Sequence, residues 1–351
     1  MFYVWNPAAS GVAVSTIYAP ILKGKAWEFR ALSEHTPSDH VELRPVFEVM
    51  PALGGPDPVI TFCKHLDRRL LEPGVVVAVD CPEPSFPSNT PARISRVAET
   101  CSAADMPFIV PVVRPDSAAK TFTAAREIVD RHECGVCLRL TVHDAISSSG
   151  TLADRIGGAL RDVGTRAHDA DLLIDAGPLG IDDDLPRILH STVRVLSSLQ
   201  RARWRSVTLA SGAFPANLEH VTHRLPFTAL RRDAELWHRV SGQLPDCVVE
   251  FSDYGVTHPI RHPVEDPSSP NPFLAYTVGD RWQIRIYDRQ LPGNDDFFTL
   301  CDDLTKSSDW PSSGPAMSWG TTACTNAHAG IVTAVGPEVQ ASGWPGLRLT
   351  T

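Results

Sequence analysis

Eight short apolar runs in this sequence each end at a polar residue, and seven of these eight residues are ionisable. The interiors of the runs are mostly Val, Ile, Leu and Ala, so the charge lies at one end of each run. Any single residue of this kind could simply be a solvated loop residue. Opposite charges that converge on one place, however, perturb each other's ionisation and form a polar pocket. The eight residues are Lys23, Glu48, Asp80, Arg114, Arg139, Asp175, Ser211 and Asp253.

The carboxylates of this set are the candidate catalytic residues. Two of them could bind Mg²⁺ together with a substrate phosphate, or two could act as general acid and general base. Their alternative role is to neutralise the lysine and arginine side chains of the same set. The need for a metal therefore stays open. The four residues are Glu48, Asp80, Asp175 and Asp253.

The cations of the set are candidates for holding an anion. Lys23 and Lys25 flank a strand–helix junction, where an anion would also meet the free amides of the helix N-terminus. Glu28 follows in the first helical turn, where it either joins the site or interacts with the helix dipole and Lys25. Arg114 and Arg139 have the planar fork that binds phosphate or carboxylate through two hydrogen bonds.

Two of these positions have alternative interpretations. Arg139 could be a mid-strand residue in an internal ion pair, because its apolar run continues to residue 142; His143-Asp144 would then be an alternative acid/base pair. Ser211 lacks the Gly-x-Ser-x-Gly context of a nucleophile, so we expect its hydroxyl to bind an anion. Downstream, Asp253-Tyr254 adds a carboxylate and a phenol, and His258 is either a third site group or a loop residue.

Several classes of protein are disfavoured by what the sequence lacks. It contains no His-Glu-x-x-His pattern of a zinc hydrolase and no Gly-rich phosphate loop of a nucleotide-dependent switch or a dinucleotide oxidoreductase. The net charge of −9 argues against coating of duplex DNA but allows a local basic pocket. There is no basic leader, no apolar run long enough to span a membrane, and eight cysteines that suggest reduced thiols, so a cytoplasmic protein is expected. Cys134 and Cys137 are expected to be packed thiols.

The apolar runs alternate with segments of helical periodicity, which predicts parallel strands joined by right-handed crossovers. Eight such units favour a closed (β/α)8 TIM-type barrel, and an open doubly wound sheet is the alternative. In such a barrel, active sites lie at the carboxyl ends of the strands. The eight runs cover 17–23, 42–49, 74–80, 107–114, 135–142, 171–177, 205–212 and 246–253.

Three regions follow from this pattern. Residues 1–16 form an extension, residues 17–257 form the barrel, and residues 258–351 form a C-terminal appendage. The appendage begins with a Pro-rich linker. Two alternating runs around Gly279-Asp280 then predict a β-hairpin, and a short acidic helix and a Gly/Ser/Thr-rich tail follow.

Scattered motifs over roughly residues 17–290 resemble the beta protein family of phages and bacteria. They are Pro20-Ile21-Leu22-Lys23-Gly24-Lys25 with Glu28 and Ala31-Leu32, then Arg44-Pro45-x-x-Glu48, and then Asp253-Tyr254 with Tyr276-Thr277, Trp282 and Arg285. The resemblance implies a phage- or mobile-element-linked cytoplasmic protein without a settled activity. It adds weight to Lys23, Lys25, Glu28, Glu48, Asp253, Tyr254 and Arg285 as site residues.

Two functions are compatible with these residues. The first is an enzyme acting on a small anionic or phosphorylated molecule, with metal-assisted hydrolysis as the reaction that best fits the parts. The second is a non-catalytic recognition protein of phage–host conflict that binds a nucleotide, a nucleic-acid end or a protein partner. Fold analogy favours the enzyme, because barrels with polar mouths usually catalyse reactions. The oligomeric state and the substrate are left open.

Overall fold

The computed structural model describes most of the chain between Thr16 and Trp310. The described residues are 16–33, 41–49, 58–67, 76–82, 90–100, 108–147, 151–199, 202–222, 225–260, 273–286, 295–308 and 310. The predicted N-terminal extension (apart from Thr16), most of the Pro-rich linker and the C-terminal tail lie outside these residues.

The described residues form an α/β fold with thirteen strand segments. They are β1 (Thr16–Tyr18), β2 (Ile21–Leu22), β3 (Val41–Leu43), β4 (Val46–Glu48), β5 (Val76–Asp80), β6 (Phe108–Val113), β7 (Val136–Thr141), β8 (Ala170–Pro178), β9 (Ser206–Gly212), β10 (Phe227–Leu230), β11 (Glu250–Ser252), β12 (Phe273–Val278) and β13 (Arg281–Ile286). Each of the eight predicted runs contains one or two of them.

Nine α-helices and one short 3₁₀ helix (Ala167–Asp169) are described alongside these strands. The α-helices are α1 (Ala26–Ser33), α2 (Pro58–Asp67), α3 (Thr90–Thr100), α4 (Ala119–His132), α5 (Val142–Ser147), α6 (Leu152–Val163), α7 (Leu185–Leu199), α8 (Arg232–Gln243) and α9 (Asp295–Thr305). None of the helices in the described part of the chain has both the length and the apolar character needed to cross a membrane.

Ten of the strand segments form one large sheet, in which all strand pairs are parallel. Its order is β2-β4-β5-β6-β7-β8-β9-β11-β1-β3. The segments β1 and β2 are separated only by Ala19 and Pro20, yet they lie near opposite ends of this order. The sheet is therefore strongly curled and has the form of a half-barrel. The prediction of an α/β protein with a parallel sheet is confirmed at this level.

Apolar residues cover both faces of this sheet, which is why its strands are almost continuously hydrophobic. On the outer face, helices such as α6 bury one stripe of apolar side chains. The helix α6 begins at Thr151, whose side chain accepts a hydrogen bond from the Asp154 amide, and it ends at Gly164, which has a φ of 82°. Inside, a smaller apolar layer lies below the charged strand ends. Its buried members are Ile21, Val46, Val110, Val112, Cys137, Leu173, Ala210 and Tyr254.

The predicted hairpin is present as β12 and β13, but it belongs to a three-stranded antiparallel sheet. Its third strand, β10, comes from the long segment after β9 and was not predicted. Trp282 and Ile284 lie on one face of this small sheet. They pack against Phe214 and Val221, which lie in the segment after β9. The opposite face packs against α9 through residues such as Tyr276. The appendage is thus built onto the loops at the carboxyl end of the large sheet.

Candidate functional site

Arg139 is the centre of a buried ionic network. Its NH1 donates to Glu48 Oε1 at 2.8 Å and to Asp80 Oδ2 at 2.6 Å. Its NH2 donates to Asp175 Oδ2 and to the Tyr254 hydroxyl, both at 2.6 Å. Arg139 lies inside β7, with its guanidinium in ion pairs, as in the second of its two interpretations. Residues from three other strands and from the segment after β11 therefore meet at a single side chain.

Lys23 extends this network at the end of β2. Its Nζ donates to Glu48 Oε2 and, at 3.0 Å, to the carbonyl of Pro259, and it lies 5.0 Å from the centre of the Tyr254 ring. The close approach of Pro259 depends on Gly212, because a Cβ at Gly212 would lie 2.8 Å from Pro259 Cδ. The segment after β11 therefore covers Lys23.

Arg114 completes the network from the end of β6. Its NH1 and NH2 bind Asp80 Oδ1 and Oδ2 at 3.0 and 2.8 Å, a bidentate pair. The Arg114 side chain is 24% exposed, whereas the Asp80 side chain is 0% exposed. Arg114 is thus the cation of the network that water and solutes can reach.

The network is balanced in charge and, apart from Arg114, buried. Three cations, Lys23, Arg114 and Arg139, face three carboxylates, Glu48, Asp80 and Asp175. Taking such charges out of water is costly, and a hydrophobic core of equal volume is often as stable or more stable. The stability of the fold alone therefore does not require charged side chains at this place.

Tyr254 is the uncharged member of the network. Burial raises the pKa of its hydroxyl well above the usual range; Arg139 lowers that pKa, and the charge of Asp175 raises it further. The hydroxyl donates to Asp175 Oδ2 at 2.7 Å. The second oxygen of Asp175 accepts the amide of Gly177 at 2.8 Å. Tyr254 therefore keeps its proton and donates it to a carboxylate whose other oxygen is held by the backbone.

The arrangement does not fit a magnesium site. The guanidinium of Arg139 already lies among the three carboxylates that would have to bind the ion. Over the described residues, no group of three or more His, Cys, Asp or Glu side chains is placed to hold a metal. A divalent ion would have to displace this guanidinium to reach the three carboxylates.

Asp253 belongs to a second buried network. Its Oδ1 accepts the Tyr18 hydroxyl at 2.7 Å and the Gly255 amide at 2.9 Å, and its Oδ2 accepts Arg231 NH2 at 2.7 Å. Arg231 NH2 also binds Asp233 Oδ2 at 2.7 Å. Sequence reasoning missed Tyr18, Arg231 and Asp233. An acidic residue in the first turn of a helix looks like an ordinary dipole partner, so no local pattern identifies this cluster.

The remaining candidates lie around the Arg139 network or apart from it. Ser211 is buried at the end of β9. Lys25 is half-buried, and its amide donates to Glu28 Oε2 at 2.8 Å; burial raises the pKa of Glu28. Arg285 pairs with Leu274 across the hairpin, on the face of the small sheet that packs against α9. His143 and Asp144 are exposed.

His258 lies in the loop after β11. Its Nδ1 is 2.9 Å from the carbonyl of Ile260. This contact holds it within its own loop, in agreement with the plainer of its two interpretations.

Acid should weaken the fold through Asp80. Burial alone would raise the pKa of Asp80, but the charges of Arg114 and Arg139 outweigh it and lower the pKa below its usual range. The ionised form therefore stabilises the folded state above the carboxyl's unfolded pKa of about 4, and this stabilisation is lost as the pH falls below it. Urea unfolding from pH 7 to pH 3 should show a steeper loss for the wild type than for Asp80→Asn. Equal slopes would contradict the assignment.

The comparisons with known proteins agree with the resemblance seen in the motifs. A model of the beta protein family matches residues 18–337, which is most of the 351-residue chain. The matched range includes both buried networks and the small antiparallel sheet. No curated protein matches the sequence. The chain belongs to the beta protein family.

Proposed function

We propose that this protein is a phage- or mobile-element-associated cytoplasmic enzyme that acts on a small anionic or phosphorylated molecule. The reaction takes place at the carboxyl-terminal mouth of a (β/α)8 barrel. The observation that carries the proposal is the charge-balanced, largely buried network around Arg139, at the end of a parallel sheet where barrel enzymes build their active sites.

The barrel itself is supported by the backbone pairing across two breaks in the sheet. Hydrogen bonds from Ala19 N to the Phe251 carbonyl (3.1 Å) and from Ile21 N to the Asp253 carbonyl (2.8 Å) continue one strand through β1 and β2. The bond from Val46 N to the Pro20 carbonyl (2.9 Å) does the same for β3 and β4. If β1 and β2 count as one strand, and β3 and β4 as another, the large sheet has eight strands in chain order. The eighth, β11, pairs with the first.

Each part of the network has a distinct role in this proposal. Arg114, the most exposed cation, makes the first contact with an incoming anion, and Lys25 in the loop after β2 adds a second positive charge at the same end of the sheet. Lys23 and Arg139 hold the carboxylates in place. Tyr254 acts as the general acid: its hydroxyl gives a proton to the leaving oxygen of the substrate, Arg139 stabilises the phenolate, and the attacking water returns a proton to it. The metal assistance expected from the carboxylates alone is not part of the proposal.

Anion binding can be tested by thermal unfolding with inorganic phosphate, pyrophosphate and AMP. A ligand at 100 times its dissociation constant should stabilise the protein by about 2.7 kcal/mol. Arg114→Gln should abolish this stabilisation. Arg205→Gln is the matched control, because Arg205 makes a similar two-nitrogen contact with Asp171 at 2.8 and 2.5 Å, at the opposite end of the strands. Equal loss in both variants, or no stabilisation of the wild type, would overturn the proposal.

Catalysis is tested separately from binding. With p-nitrophenyl phosphate and bis(p-nitrophenyl) phosphate as probes, Tyr254→Phe should lower the turnover by about 10²-fold or more, as expected for loss of a general acid or base. Phosphate-induced stabilisation should remain, because Arg114 is intact. Turnover that is unaffected by Tyr254→Phe would remove this residue from the reaction.

A second function is supported by one specific observation. The carboxylates of the network are all engaged by arginine or lysine, as in a site built for shape and charge recognition. The protein would then be a non-catalytic recognition protein that binds a nucleotide, a nucleic-acid end or a protein segment. Stabilisation by a 5′-phosphorylated oligonucleotide, with no turnover of any probe, would favour this function over the enzyme.

A further inference from the structure

Asp253 and Tyr254 are consecutive residues that point into different buried networks. The carboxylate of Asp253 is bound by Tyr18, Arg231 and the Gly255 amide. The hydroxyl of Tyr254 contacts Arg139 and Asp175. Because the two residues share a peptide plane, a movement of Asp253 also moves the backbone from which Tyr254 extends.

Arg231 is the cation that holds Asp253. It is 2% exposed, and its guanidinium lies 4.8 Å from the centre of the Trp282 ring and 5.6 Å from that of Phe251. Its NH2 is shared between Asp253 and Asp233, each at 2.7 Å. A guanidinium held by two carboxylates and two rings has little freedom to move.

The small antiparallel sheet contributes directly to this arrangement. The backbone amide of Arg231 donates to the carbonyl of Asp280 in the hairpin turn at 2.8 Å. Trp282, the ring over the guanidinium, lies in β13 and is 1% exposed. The position of Arg231 therefore depends on the hairpin.

We infer that Arg231 is a positioning residue for the candidate site: by holding Asp253, it sets where the adjacent Tyr254 hydroxyl meets Arg139 and Asp175. Through Trp282, the small sheet then also helps to position the Tyr254 hydroxyl. The functional consequence rests on the proposed role of Tyr254, whereas the positioning itself does not.

The test uses the full-length protein labelled with 3-fluorotyrosine and observed by ¹⁹F NMR. The chain has five tyrosines, and Tyr18→Phe and Tyr254→Phe assign the two signals of interest. Arg231→Met should move both signals, since both side chains depend on the place of Asp253. Arg239→Met, which removes an exposed arginine from α8, is the control and should move neither. A folded Arg231→Met protein in which the Tyr254 signal stays in place would overturn the inference, even if the Tyr18 signal moves.

If Arg231→Met does not fold, Arg231→Lys decides the question. It keeps the positive charge but loses the planar fork that binds Asp233 and Asp253 together, so the Tyr254 signal should shift in a folded protein. An unchanged signal would overturn the inference.

The kinetic measurement separates this inference from the proposed function. Where a probe is turned over, the variant that moves Tyr254 should lower kcat by up to about 10²-fold with little change in KM, as expected when a reacting group is displaced by about 1 Å. A shifted Tyr254 signal in a protein that turns over no probe would support positioning and count against the enzyme.

Discussion

Replacing Arg139 with glutamine is expected to lower the free energy of unfolding by about 3–5 kcal/mol, because it leaves three buried carboxylates without their common counter-charge. Glu48, Asp80 and Asp175 would remain at side-chain exposures of 8%, 0% and 5%. Urea unfolding at pH 7 measures the effect as a lower midpoint with an unchanged slope.

The pH dependence of this variant provides an internal check. Burial raises the pKa of Asp80, and Arg139 is one of the two charges that lower it, so the pKa of Asp80 in the folded variant is higher than in the wild type. The penalty is then present at neutral pH and is relieved as the pH falls and this carboxyl takes up a proton. The difference between wild type and variant should therefore shrink towards pH 4.

Arg205→Gln is again the matched control. The Arg205 side chain is 30% exposed, and pairs of this kind contribute about 0–1 kcal/mol. If Arg139→Gln lowered the free energy of unfolding no more than Arg205→Gln, the charges around Arg139 would be solvated. The assignment of the candidate site to this network would then be wrong.

Replacing Trp282 with alanine is expected to cost about 3–5 kcal/mol, the range for removing a large aromatic side chain from a core. Trp282 packs edge-on against Phe214, with ring centres 5.4 Å apart, and covers the guanidinium of Arg231. The substitution therefore removes both an apolar contact and part of the shield around a buried charge. Because these contacts join the small sheet to the loops of the large one, unfolding should remain a single transition, measured by calorimetry and by far-UV circular dichroism.

Leu230→Ala serves as the control within the same small sheet. Leu230 lies in β10 and is 61% exposed, so its replacement should change stability by less than about 0.5 kcal/mol. A separate early transition in Trp282→Ala, with the large sheet unfolding as in the wild type, would mean that the small sheet is an independent unit. The role assigned to Arg231 would then fail as well.

The strands and the polar ends of most of them could be predicted from local patterns. Apolar β-branched runs specify strands wherever they occur, and helical periodicity between them specifies parallel pairing. Parallel pairing in turn brings strand ends to one edge, which is why Lys23, Glu48, Asp80 and Asp175 were expected together and lie together. The hairpin around Gly279 was also predictable, because a turn signal between two alternating runs is a local feature.

The partners of each charge were decided only by the tertiary structure. Asp253 ends its strand like the others, but the curl of the sheet turns it towards Tyr18 and Arg231, and the next residue, Tyr254, turns to Arg139. The strand β10 comes from a segment without a clear pattern, and it exists because β13 offers it a partner. Sequence spacing specifies which residues can belong to a strand, whereas the direction of a side chain across a curled sheet depends on long-range packing. For this protein, the chain alone therefore determined that charges collect at one end of the sheet. The tertiary structure decided that the guanidinium of Arg139 lies among the carboxylates that were candidates for binding a metal ion. It also decided that the charged residues form two networks and not one.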